Sequence, residues 1–111
     1  MHQHQACIDE CVRCAQACNH CAAECLGEED VQMMADCIRL DQECAEICGM
    51  AAAFMSRSSH FAVEICRVCA DICEACGDEC SRHDVDHCKQ CAEACRSCAQ
   101  ACRDMVAVGV H

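Results

Sequence analysis

Residues 88–102 read CKQCAEACRSCAQAC, and their cysteines, Cys88, Cys91, Cys95, Cys98 and Cys102, step alternately by three and by four. A mean step of about 3.5 residues is the heptad seam of a packed helix, so all these side chains fall on one stripe facing neighbouring helices. The same spacing recurs at Cys66, Cys69, Cys73, Cys76 and Cys80, and again at Cys7, Cys11, Cys14, Cys18, Cys21 and Cys25. A further group, Cys37, Cys44 and Cys48, keeps the phase once its missing stripe positions are filled by Met34, Asp41, Ala51 and Met55. Each group predicts one helix, and the second helix is a partly substituted copy of the others.

The breaks between groups are short and carry helix-ending signals. Gly27 stands where a left-handed C-cap is expected, and Glu28, Glu29 and Asp30 then place negative charge at the start of the next helix. Ser56, Ser58 and Ser59 supply hydroxyls expected to cap the third helix, and Ser81-Arg82-His83-Asp84 forms the last tight connection. Helices joined by such brief turns run antiparallel to their chain neighbours, which predicts an all-α, up-down-up-down four-helix bundle over residues 1–111, read as one domain. Gly49 and Gly77 fall inside helices, at a cost of about 1 kcal/mol each against Ala. Close helix approach is the expected compensation.

Composition narrows the chemistry. The 111 residues include no Pro, Trp or Tyr, two Phe and 19 Cys, so thiols take the place of the large apolar residues that normally fill a core. A chain this rich in cysteine is usually a secreted disulfide scaffold, but such scaffolds are loop-rich and carry an apolar leader. The start, Met1-His2-Gln3-His4-Gln5, has no apolar run, and a reducing, cytosolic setting is expected. A formal charge of −11 argues against nucleic acid or an anionic membrane as partner, since both need a basic face.

One or two cysteines in a helix seam are ordinary small hydrophobes. Replacing nearly every seam Leu or Ile sacrifices roughly 0.8 kcal/mol per methylene and leaves an under-filled core, so something else is expected in that space. Disulfides need Cβ atoms about 3.5–4.5 Å apart, whereas positions three or four apart on a helix lie about 5–6 Å apart. A metal ion between thiolates removes both difficulties. Zinc takes four ligands in a tetrahedron, and a repeated four-thiolate site would accumulate negative charge down a buried tube. Copper(I) selects thiolate and accepts two or three sulfurs. With each sulfur shared between two ions, the thiolates support about one copper(I) per Cys and a neutral core. Iron–sulfur clusters would use only a few of the cysteines. Zinc or cadmium sequestration is the alternative within the metal class. A thiol redox enzyme needs one thiolate singled out from the rest, and the uniform stripes single out none.

The Cys-x-x-x-Cys pairs Cys7/Cys11, Cys14/Cys18, Cys21/Cys25, Cys44/Cys48, Cys69/Cys73, Cys76/Cys80, Cys91/Cys95 and Cys98/Cys102 give the chain a specific likeness. Over essentially its whole length it resembles the bacterial four-helix-bundle copper storage proteins, in particular the branch without an export signal. That resemblance implies that copper(I) is admitted at one end of the bundle and held without catalysis, and that the chain forms a homotetramer. A copper chaperone or an efflux protein would then deliver or take the ion. Outward apolar residues such as Ile38, Ile47, Ile65 and Ile72 would suit an interface between copies.

Extending the stripes beyond the cysteines predicts two different mouths. One gathers His4, Met55, Ala62 and Met105; the other gathers Asp30, Met34, His83 and Asp84, with His87 one position off the fourth stripe and Asp41 deeper on the second helix. Thioether and imidazole bind copper(I) more loosely than thiolate does, which suits receiving an ion and passing it inward. The polar mouth is the expected point of admission. Asp41, His83 and His87 therefore join the cysteines as candidate metal-binding residues.

Overall fold

The computed structural model describes residues 4–109. Four helices follow in order, α1 Gln5–Cys25, α2 Ala35–Ser56, α3 Ala62–Cys80 and α4 Asp86–Val108, with a short 3-10 turn at Val31–Met34 leading into α2. α1 packs on α2 and α4, and α3 packs on the same two, so the helices stand at the corners of a square. The described residues form a rod of 48 × 20 × 18 Å. The alternating three-and-four spacing is what makes this arrangement close: each stripe points at the common axis. No helix among the described residues is long and apolar enough to cross a membrane.

Seventeen of the 19 cysteines have no solvent exposure at all, and the other two, Cys7 and Cys91, are 5% and 1% exposed. The positions inferred for the α2 stripe, Met34, Asp41, Ala51 and Met55, are buried as well. Ala45, Ala52, Ala70, Ala92 and Ala99 flank the thiols and keep the helices close. Most isoleucines lie further out: Ile38, Ile47, Ile65 and Ile72 are only half-buried on α2 and α3, while Ile8 on α1 is buried.

Three local expectations need correction. Gly27 does not take the left-handed conformation; among the described glycines only Gly109 has positive φ. α1 instead tightens at its end, with Leu26 donating to the Ala22 carbonyl and Gly27 to the Glu24 carbonyl, which satisfies the last carbonyls without a left-handed residue. The serines before α3 do not cap its first turn. Ser59 Oγ accepts from the Phe61 amide at 3.0 Å, just ahead of the helix, and Ser56 Oγ donates back to the Ala52 carbonyl at 2.7 Å. The glycines also divide: a Cβ on Gly77 would meet Cys95 Cβ at 3.4 Å, whereas one on Gly49 would meet nothing within 4 Å. Gly77 thus permits close approach of α3 to α4, and Gly49 has no such role.

Candidate metal centre

The thiol stripes meet in a continuous row of sulfurs. Starting at the first turn of α1, Cys7 Sγ lies 3.8 Å from Cys102, Cys102 3.7 Å from Cys11, Cys11 3.6 Å from Cys98 and Cys98 3.8 Å from Cys48. Cys48 leads to Cys73 at 3.6 Å, Cys73 to Cys44 at 3.4 Å and Cys44 to Cys14 at 3.8 Å. From Cys14 the row passes to Cys95 at 3.8 Å, to Cys18 at 3.7 Å and to Cys91 at 3.7 Å. Every helix contributes, and successive steps cross from one helix to another. The shortest separation, 3.3 Å between Cys37 and Cys80, is far beyond a disulfide bond of about 2.05 Å. All 19 thiols are free.

Neighbouring ligand atoms fall into overlapping groups of four whose members all lie within 4.8 Å of one another, among them Cys11/Cys69/Cys98/Cys102, Cys14/Cys44/Cys48/Cys73 and Cys18/Cys76/Cys91/Cys95. Cys14 and Cys44 recur in a further group with Cys18 and Cys95. Shared membership is the geometric counterpart of sulfurs that bridge, and it differs from the separate tetrahedra that zinc requires.

Packed this closely, the thiols share protons unevenly. Hydrogen bonding with Cys14 holds Cys44 below the ordinary thiol range, and hydrogen bonding with Cys18 does the same for Cys91. Other members move the opposite way: Cys48 is pushed up chiefly by Cys11 and Cys95 chiefly by Cys14, while Cys25 is pushed up to about 11, first by burial. A row closed off from water cannot carry many uncompensated charges, so the set keeps most of its protons until a cation replaces them.

The candidate residues other than cysteine sit in three distinct places. Asp41 is fully buried within the row: its Oδ1 accepts from Cys76 at 3.2 Å, Cys91 at 3.3 Å and Cys80 at 3.5 Å, and its Oδ2 accepts from Cys37 at 3.8 Å. Burial pushes its carboxyl up to about 8, and the neighbouring Cys91 adds to the effect. His87 joins the row at its end. Its Nδ1 lies 3.6 Å from both Cys21 and Cys88 and 3.9 Å from Cys25, while Nε2 lies 3.1 Å from Glu28 Oε1. A proton on Nε2, held by Glu28, leaves the Nδ1 lone pair facing three sulfurs, the tautomer a soft cation needs. His83 is placed differently: its Nε2 is 2.9 Å from Glu79 Oε2, one turn earlier on the chain.

Asp84 is exposed and pairs with Lys89 at 2.8 Å, so it does not close the mouth. Met34 does lie at this end, where Glu28, Asp30, Met33, Met34 and His83 help to line a recess of about 280 Å³. At the opposite end His4, Met55, Ala62 and Met105 are all buried, as their stripe positions require. Glu28 and Glu79 are the partners that sequence reasoning missed. Glu79 stands four residues before His83 and was legible from helical spacing, whereas Glu28 reaches His87 across 59 residues and left no local signal.

Known proteins share this geometry. The model of the copper storage protein family, Csp, matches residues 1–107. The structure is similar to the Cu(I)-bound copper storage protein BsCsp3 of Bacillus subtilis, with a TM-score of 0.90 and 53% identity over 94% of this chain and 99% of that one. It is also similar to the copper storage protein Ccsp of Streptomyces lividans loaded with 10 copper equivalents, with a TM-score of 0.91 and 47% identity over 94% of this chain and 83% of that one. An uncharacterized cysteine-rich protein of Bacillus subtilis, YhjQ, is 54% identical over 62 residues, which span 56% of this chain and only 57% of that protein. With a family match across nearly its whole length and an inward thiol row to account for it, the chain belongs to the copper storage protein family.

Proposed function

We propose that this chain stores copper(I) in the cytosol, holding about one ion per cysteine along the buried row, as one domain spanning residues 1–111. The observation that carries the reading is the row itself: sulfurs from four helices in overlapping groups, closed to water, with no single thiol set apart for catalysis. Each ion displaces one thiol proton, so a +1 cation replaces a +1 cation and the core stays neutral as it fills. All 19 cysteines serve as ligands in this reading. Asp41 acts within the row, and His87 receives the ion at the polar mouth, where His83, held by Glu79, lines the neighbouring recess.

Two similar structures are described as copper-bound, and the Streptomyces lividans protein is also described as cytosolic, which supports both the cargo and the compartment. Assembly as a homotetramer, and exchange with a copper chaperone or an efflux protein, complete the proposal. Anaerobic titration with copper(I) against a competing chelator tests the storage reading, with metal counted per chain. Saturation at about one copper per thiol is expected. Tight uptake of about four or five zinc ions with no tight copper(I) would sink it. Light scattering of apo and loaded protein checks the tetramer.

A further inference from the structure

The end of the bundle where α1 begins carries a feature that storage alone does not require. Beyond the last thiols the stripes continue as His4 on α1's side, Met55 at the end of α2 and Met105 near the end of α4. A plain plug would be served by Leu or Ile at each position; here the three side chains are an imidazole and two thioethers, the neutral donors that bind copper(I).

This end is also open to the outside. A cavity of about 250 Å³ is lined by His4, Cys7 and Met105, with Ala101, Asp104 and Val108 among its other walls. Cys7 belongs to this cavity and to the sulfur row at once, since its Sγ lies 3.8 Å from Cys102. It is also the most exposed of the cysteines, at 5%. Cys102 is its neighbour in the row, and hydrogen bonding first with Cys102 and then with Cys7 pushes the Cys66 thiol up, which places Cys66 beside both. The cavity therefore brings the outside up to Cys7 at the edge of the row, walled by apolar groups and bordered by soft donors.

We infer that this cavity is a second copper(I) site, in which His4, Met105 and Cys7 hold an ion loosely above the Cys7/Cys66/Cys102 layer and exchange it between the row and the outside. The inference rests on the storage reading. Thioether and imidazole add no charge, so at this site the ion's charge is met only by the Cys7 thiolate and by the Asp104 carboxylate at the cavity wall, fewer anions than the row supplies. Weak neutral donors before strong anionic ones make a path downhill inward and give a departing ion an intermediate stop on the uphill way out. No electron transfer is involved; the ion changes ligands, and a proton leaves only when a thiol takes it.

Selenomethionine-labelled protein loaded anaerobically with copper(I) tests this by X-ray absorption at the selenium edge, which reports only atoms bonded to selenium. Copper is expected as a selenium neighbour at full loading. That signal should survive in M33L/M34L, which alters the other mouth, and be lost in M105L, a volume-conserving change that the fold tolerates. H4A should reduce it. No copper neighbour in protein that has filled its thiols, or a signal lost in M33L/M34L and kept in M105L, overturns the second site and leaves storage standing. Copper counted on the same samples separates the two failures: a chain that takes up no tight copper overturns storage and the second site together.

Discussion

Each end of the bundle is built from two helix starts and two helix stops, so the helix dipoles cancel at both and the difference between the ends lies in side chains. At the end where α4 starts, His87 sits against Cys21, Cys25 and Cys88 with Glu28 behind it, and Asp41 lies further along the row among Cys37, Cys76, Cys80 and Cys91. At the end where α1 starts, the row stops at Cys7 and Cys102, and Met55, Met105 and His4 follow. One half uses carboxylates to orient an imidazole and to accept from thiols; the other relies on neutral, polarizable donors. The contrast teaches that one repeated stripe acquires direction from the few positions where the repeat fails.

Asp41 offers the largest expected effect, because it is a buried carboxyl with no counterpart in the other half. Its folded value of about 8 lies above the ordinary carboxyl value of 3.8, so the folded state holds a proton that the unfolded chain has released. Stability from this group is fully present below about pH 4 and is lost as pH rises through about 8. Asp41→Asn, which mimics the protonated group, should remove that dependence. Melting of the apo proteins should give similar midpoints near the acid limit and an advantage to the variant on the order of 10 °C at the alkaline limit. A variant that melts below wild type at the alkaline limit would show that the ionised carboxylate stabilises the row.

Removing the thiols of each end separately breaks the comparison more directly. C21A/C25A/C88A and C7A/C66A/C102A should each lower capacity by about three copper ions per chain, since both remove the same number of thiolates. Loading rate should separate them. Uptake from a copper(I)–chelator complex, followed by stopped flow, should slow on the order of 100-fold in the first variant and far less in the second. Single changes refine the same measurement: His87→Ala should slow uptake about 10-fold, with His4→Ala the milder of the two. A larger effect from His4→Ala would exchange the roles of the mouths.

How much of this was legible in the sequence follows from the range of the forces involved. The stripe spacing determines which face of each helix is buried, so the bundle, its inward thiols and even the substituted positions Met34, Asp41, Ala51 and Met55 could be read from the chain. The mouths could be read only as lists of residues. Which partner each polar group takes depends on contacts across helices: Glu28 on His87 is such a contact, and so is the set of thiols that donate to Asp41. The stripes place His83 at the polar mouth with Asp41 deeper on the second helix, yet a carboxylate one helical turn away, Glu79, engages His83. Helix ends were legible in place and not in mechanism, because a 3-10 tightening after Cys25 meets the same hydrogen-bond demand that a left-handed Gly27 would.

The helix glycines extend the comparison from chemistry to packing and give the smallest expected effect. Gly77 lies in the half of α3 that leads to the His87 mouth, and Gly49 in the half of α2 that leads to the Met55 mouth. A methyl at Gly77 would meet Cys95 Cβ at 3.4 Å and the Ala92 carbonyl at 3.6 Å, a close fit against α4 that leaves no spare room. A methyl at Gly49 would meet nothing within 4 Å, so the replacement changes helix propensity alone. Gly49→Ala should therefore stabilise the apo protein by about 1 kcal/mol in denaturant unfolding. Gly77→Ala should gain less, because the propensity gain is opposed by crowding against Cys95. Equal gains at both sites would mean that α3 and α4 can part without cost, and the closeness of their sulfurs would then have to be set by the thiols themselves.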